Sequence, residues 1–258
     1  MRRPRALLAL AVLAAGLSTV GPATGLARTG SSCKIAPKNG WTVCPRAHLA
    51  GRYLVRKDLR NADLTRADLT GATLTRANLA TANLSHATLT RTRFDHANLA
   101  FANLAGAVST SAHFAGATMS GANLSGARLV GADLSRANLT GADMTGMNLA
   151  HANLANANLS GANISGANLT GANLTNANLV GTNVSRANMA KASLFYATLS
   201  GAYLLGTNLT GANLKGATLL GADLTRANLA GATFGNIAWF GATCPNGKKT
   251  KSRCKDLR

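Results

Sequence analysis

From residue 46 onward, apolar and polar positions recur every five residues, a period that belongs to neither regular element. With Leu64 as reference, equivalent centres fall at Leu49, Leu54, Leu59 and every fifth residue to Trp239. Leu fills 29 of these 39 centres. Phe94, Ser109, Phe114, Met119, Met144, Ile164, Val184, Met189, Phe234 and Trp239 fill the others. Two residues before the centre, Ala stands at 32 of 39 positions, and the residue between is Asn, Asp or Thr at 30. Gly is the commonest residue two after the centre, as in "GANLSGANISGANLTGANLT".

On an α-helix, five residues advance about 500°, so successive centres drift and never form a stripe. On a straight strand, an odd period sends each centre to the opposite face. A constant inside therefore requires one turn of the chain per repeat. The centre and the Ala two before it share one side of a short extended segment. The Gly position, free of a Cβ, takes the bend. The pattern predicts a coil with Leu and Ala inside.

Composition agrees. Aromatic residues are 4% and charged residues 14% of the 258-residue chain, and there is no Glu. A conventional large core and a coiled coil both need more. Apolar content of 47% excludes plain disorder. Residues 1–27 read as a signal peptide. Arg2, Arg3 and Arg5 lead an apolar stretch over residues 6–17, too short to span a bilayer. Cleavage is expected after Ala27, with Ala23 as the alternative, and the mature protein is expected to be secreted. The formal net charge of +19 loses three arginines with the leader and becomes +16.

The repeat resembles the A(D/N)LXX motif of the pentapeptide repeat family, and the resemblance runs through all 39 repeats. It implies an all-β fold, a right-handed quadrilateral β-helix with four repeats per coil and about ten coils. At ~4.8 Å per coil the rod would be ~45 Å long. Each repeat then depends on its neighbours for burial. The implied organisation is an N-terminal cap over 28–46, the β-helix over 47–243 and a basic C-terminal cap over 244–258. Four cysteines allow three pairings. In a rod of the implied length, Cys33 and Cys44 sit at one end and Cys244 and Cys254 at the other. The resemblance thus implies the disulfides Cys33–Cys44 and Cys244–Cys254. The segment "GATCPNGKKTKSRC" is also similar to the C-terminal cap of secreted actinobacterial members. Trp41, Phe234, Trp239 and Phe240 lie near the ends, where lids over the core are expected.

Catalytic chemistry has little foothold. His48, His86, His96, His113 and His151 pair with no Cys or carboxylate at metal-ligand spacing. Asp63, Asp143 and Asp223 differ by multiples of 20, which sets them on one face but several coils apart. No catalytic residue, metal or cofactor is expected. Ser109 is the one polar centre. It reads as a kink or small site, or as a buried hydroxyl bonded to a nearby backbone carbonyl; the second is the expectation. Phe94 and Phe114, 20 apart, are expected to stack in adjacent coils.

With four repeats per coil, residues 20 apart share a column. At the bend position Arg56, Arg76, His96 and Arg136 form one column, and Arg66, His86, Arg186 and Arg226 form the opposite one. Arg91, His151 and Lys191 form a third, and the fourth, with Asn61, Thr81, Phe101 and Gly121, carries no cation. Lys248, Lys249 and Lys251 add charge in the C-terminal cap. These cations are the candidate contacts to an anion. Phe195, Tyr196 and Lys215 are expected to make a local cation–π contact.

Two functional readings follow. The first is a secreted, non-catalytic module, a rigid surface for binding or structural use. Its expected partner is an anionic cell-envelope polymer: teichoic acid, acidic polysaccharide, extracellular DNA or anionic lipid. Solubilisation of a sticky β-rod is the plainer account of the same charge. The second comes from the resemblance alone: some cytoplasmic members mimic DNA and bind DNA gyrase. That mimicry needs an acidic surface, and both the basic charge and the leader argue against gyrase as partner. The resemblance also leaves open a homodimer through a coil end.

Overall fold

The computed structural model describes residues 42–250 together with Lys34, Ile35 and Cys254. The expectations on residues 1–27, Cys33, Trp41 and Lys251 lie outside the described residues.

The residue before each centre forms a parallel bridge to the residue 20 further on. Asp63 pairs with Asn83, Asp68 with Thr88, Thr73 with Arg93 and Asn78 with Asn98. A register of 20 is four repeats, so each coil has four faces and stacks on the next. Two inter-coil hydrogen bonds hold each bridge: Leu64 N–H donates to the Asn83 carbonyl (2.7 Å), and Asn83 N–H donates to the Ala62 carbonyl (2.8 Å). The chain then turns, and Ala67 N–H donates to the Leu64 carbonyl (3.0 Å) across the bend. Because a bend comes every five residues, the extended stretches stay very short. β1 (Lys34–Ile35) and β2 (Thr42–Val43) form an antiparallel hairpin before the coils, and β3 (Val108–Thr110) and β4 (Arg128–Val130) pair in parallel.

Leu centres and the Ala two before them are almost wholly buried from Ala62 to Leu224. Burying one Leu side chain contributes roughly 1.5–3 kcal/mol. Alanine on the same inward side keeps facing sheets close. Where Thr replaces it, the hydroxyl is satisfied inside: Thr92, Thr182 and Thr207 donate to the carbonyls of Leu69, Leu159 and Val184 (2.7, 2.7 and 2.8 Å). Ser109 is buried and its Oγ donates to the Leu89 carbonyl at 2.9 Å, as the sequence predicts. Phe94 and Phe114 stack with centroids 4.9 Å apart and planes 5° from parallel.

The Asn or Asp before the centre has two tasks. Its Oδ1 accepts the N–H two residues on, which the tight bend leaves without a backbone partner; Ser165 N–H to Asn163 Oδ1 is one case (3.2 Å). Where it is Asn, its Nδ2 donates to the same position in the preceding coil. Asn173 donates to Asn153 (3.2 Å), and Asn153 donates to Asp133 (3.0 Å). These side-chain ladders run parallel to the backbone ladder.

A stack of coils ends in open strand edges. At the C-terminal end the chain folds back, and Thr243 pairs antiparallel with Lys249. Gly241 N–H donates to the Thr250 carbonyl, and Thr250 N–H to the Ala242 carbonyl (both 2.9 Å). The Cys244–Cys254 disulfide fixes this return, with Cα atoms 5.5 Å apart. Phe234 and Trp239 pack together at 5.8 Å, and Trp239 is buried. Phe240 is not a lid. It is 69% exposed, because it follows the centre at 239 and therefore points outward. At the other end Cys44 is buried and disulfide-bonded. Cys44 and Cys244 both stand on the five-residue register, one repeat before Leu49 and one after Trp239, so a cysteine closes the core column at each end.

Candidate anion-binding surface

Every fifth residue from 46 to 241 has a positive φ. Arg56, Arg66, Arg76, Arg136, Arg186 and Arg226 are among them, with φ between 56° and 59°. The left-handed conformation costs an L-residue roughly 1–2 kcal/mol relative to the right-handed one, and glycine avoids that cost. These arginines hold the corner by backbone bonds alone: Arg66 N–H donates to the Ser85 carbonyl (2.9 Å), and Arg76 N–H to the Asp95 carbonyl (3.0 Å). Their side chains are exposed.

The 20-residue register brings some of the candidate cations together and separates others. Arg56, Arg76 and His96 occupy consecutive coils of one corner. Arg66 and His86 are consecutive on the diagonally opposite corner, with Arg46 one coil before them. Arg136 is parted from His96 by Gly116, and Arg186 from His86 by a run of glycines. Arg226 stands two coils beyond Arg186. Lys248 and Lys249 are exposed on the C-terminal return.

Acidic residues do little to neutralise these corners. Among the described residues the ion pairs are Arg60–Asp58 (2.7 Å) and Arg93–Asp95 (3.1 Å). Hydrogen bonds from the Arg60 side chain and backbone hold the Asp58 carboxyl below its usual range, and the same contact raises Arg60. Asp68 is lowered by hydrogen bonds from Thr70 and by the charge of His48. Asp63, Asp143 and Asp223 share a face, where each Oδ1 accepts both N–H and hydroxyl of the Thr two residues on. They lock corners rather than form a site. Among the described residues, no group of three or more His, Cys, Asp or Glu could hold a metal ion.

The expected cation–π contact of Lys215 is not formed among the described residues. Phe195 instead meets the neighbouring Tyr196 edge-on at 4.4 Å. The Tyr196 ring lies over Gly216, 20 residues later. The same holds for His86 over Gly106, His96 over Gly116, Phe101 over Gly121 and His151 over Gly171. A flat ring at a bend takes the volume that a Cβ on the next coil would need. The signal was in the sequence: each ring at a bend is followed 20 residues on by glycine. Tyr203 and Leu205, on another face, line a shallow depression of about 360 Å³ with Asn183, Ser185 and Asp223.

The family model for pentapeptide repeats matches in eight copies across residues 46–231. Among solved structures, the chain is similar to HetL, a pentapeptide repeat protein involved in heterocyst differentiation regulation in the cyanobacterium Nostoc sp. strain PCC 7120. Identity is 34% over 78% of this chain and 92% of that one, with a TM-score of 0.35. It is also similar to QnrB1, a plasmid-mediated fluoroquinolone resistance protein (20% identity, 59% and 84% coverage, TM-score 0.49). A third is a pentapeptide repeat protein of the Arabidopsis thaliana thylakoid lumen (26% identity, 57% and 67% coverage, TM-score 0.18). No curated protein matches the chain.

Proposed function

The chain belongs to the pentapeptide repeat family, whose members fold as right-handed β-helices, and from that premise we propose that it is an exported, non-catalytic module that binds anionic polymers of the cell envelope. The observation that carries this reading is the placement of Arg56, Arg76, Arg66, Arg136, Arg186 and Arg226. They stand at exposed bends where glycine would relieve the backbone. Each projects an exposed guanidinium from a corner of the coil, where a partner outside the molecule can reach it. Solubility alone would be served as well by cations at the relaxed, outward-facing positions of each face. The absence of Glu and the scarcity of Asp leave the exported chain with a net charge of +16. Few aromatics stand beside the cations, so contact falls on charge along a polymer rather than on stacked bases.

The test is salt-dependent binding to a panel of anionic polymers with a neutral glycan as control. A charge-directed binder loses affinity linearly in log–log form as salt rises, with about 0.7–0.9 of slope per phosphate contact. Binding that ignores salt, or none below physiological ionic strength, rejects the reading and leaves the charge to solubility. A supercoiling assay with purified gyrase checks the alternative carried by the family; no effect is expected.

A further inference from the structure

At the N-terminal end the basic bend residues fall mainly on two corners. One carries Arg56, Arg76 and His96 on consecutive coils and stops at Gly116; the other carries Arg46, Arg66 and His86 and stops at Gly106. Each is a ladder with rungs ~4.8 Å apart. The two are half a coil out of phase, so they lie on diagonal corners with the Leu and Ala core between them. Packed sheets stand ~10 Å apart, so the ladders face away from each other across at least that thickness. The His86 and His96 rings rest against the glycines of the next coil, where each ladder stops.

The acidic groups beside the strips are engaged elsewhere. Asp58 is held by Arg60 and Asp95 by Arg93. Asp63 and Asp68 each accept from the residue two positions on. Arg56, Arg66 and Arg76 form no ion pair among the described residues. Between the strips, Arg52 and Lys57 are exposed on the faces of the first coil, the third corner begins its cations only at Arg91, and the fourth corner has none.

We propose that the two ladders bind two separate phosphate-bearing polymer chains, so that one molecule bridges them. This rests on the polyanion reading above and adds its geometry: a crosslinker rather than a single-chain binder. A linear polymer lying along the rod axis meets one ladder at every rung. The rigid core keeps the other ladder out of reach of the same segment. Guanidinium forks suit phosphate oxygens, and rungs on every coil need no particular sequence or sugar.

The experiment is a sandwich capture. Poly(glycerol phosphate) is immobilised, the purified protein is added, and a fluorescent second portion of the same polymer is offered; single-stranded DNA replaces it in a parallel arm. Ladder variants are Arg56→Gly with Arg76→Gly, and Arg46→Gly with Arg66→Gly. Glycine suits the positive φ, and circular dichroism checks the fold. Wild type should hold both chains. Each ladder variant should still bind the first chain through its intact ladder, with an unchanged salt slope. Each should lose capture of the second chain at least about tenfold, which is roughly the effect of removing two phosphate contacts over a fourfold change in salt. Stronger capture in one arm identifies the source of the phosphate chain, and capture in either supports bridging. The inference falls if wild type binds one chain and never a second, or if single-ladder variants bridge as well as wild type. It falls too if losing one ladder abolishes all binding, as a single wrapped chain would require, or if bridging tracks a dimeric fraction in size-exclusion chromatography. No binding by wild type in either arm overturns the polyanion reading itself.

Discussion

The imidazole of His86 lies over Gly106 so closely that its Nδ1 is 2.6 Å from where a Cβ at residue 106 would stand. Gly106 itself has a φ of +64°. Two separable costs follow for Gly106→Ala: the left-handed backbone and the displaced ring. Gly141 has a similar φ and nothing within 4 Å of the same point. Gly141→Ala should therefore cost only the backbone term, roughly 1–2 kcal/mol. Gly106→Ala should cost about 1 kcal/mol more, the price of an off-rotamer ring. Denaturant unfolding measures both. Adding His86→Gly should erase the excess; an excess that survives would place its origin outside the ring contact.

Arg76 is the reverse case. It occupies a left-handed bend with an exposed side chain, and its backbone N–H, which glycine also has, holds the corner. Arg76→Gly should leave stability within about 1 kcal/mol of wild type, because relief of φ strain offsets the greater freedom of glycine in the unfolded chain. Polymer binding should weaken in the same protein. Melting temperature and salt-dependent affinity, measured together, separate the two effects. A large loss of stability would show that the arginine is structural.

Much of this fold could be read from periodicity, because a five-residue register constrains every position at once. Ser109 and the Phe94–Phe114 pair were legible for that reason: both are inward positions whose partners lie 20 residues away. Phe240 resembles a lid by side-chain type alone, but its register decides: position 240 follows a centre and faces water. Lys215 and Phe195 do share a column, but a column does not set a side-chain torsion, and Phe195 turns to Tyr196. The cationic columns were legible, since they follow from the register alone. The rings resting on glycines were not anticipated, because they depend on which way a bend side chain leans along the rod.

The Cys244–Cys254 bond fastens the segment that covers the last coil through the Thr243–Lys249 pairing. Replacing both cysteines with alanine closes no loop in the unfolded chain and should cost roughly 2–3 kcal/mol. The greater effect should be on association, since freeing residues 245–250 uncovers a strand edge. Light scattering at increasing concentration should show association of the variant well below the wild-type threshold. If the variant melts lower but stays monomeric, the edge is covered by other means.

The same sparse acidity sets the response to pH. The chain has eight acidic residues, all Asp, and among the described ones those held below the usual carboxylate range are Asp58 and Asp68. A carboxylate whose pKa is lower in the folded state stabilises the fold above its unfolded pKa, and that contribution disappears as pH falls through the folded value. Stability should therefore be nearly flat from neutral pH down to about pH 4 and decline only below it. Asp58 is exposed and screened by water, so its share is small. Asp68, bonded to Thr70, should carry more of the decline. Asp68→Asn keeps the Oδ1 acceptor, as Asn does at the equivalent place in most coils, and removes the titration. The acid limb of its melting curve against pH should be shallower than that of wild type. An unchanged limb would assign the acid response to the other carboxylates.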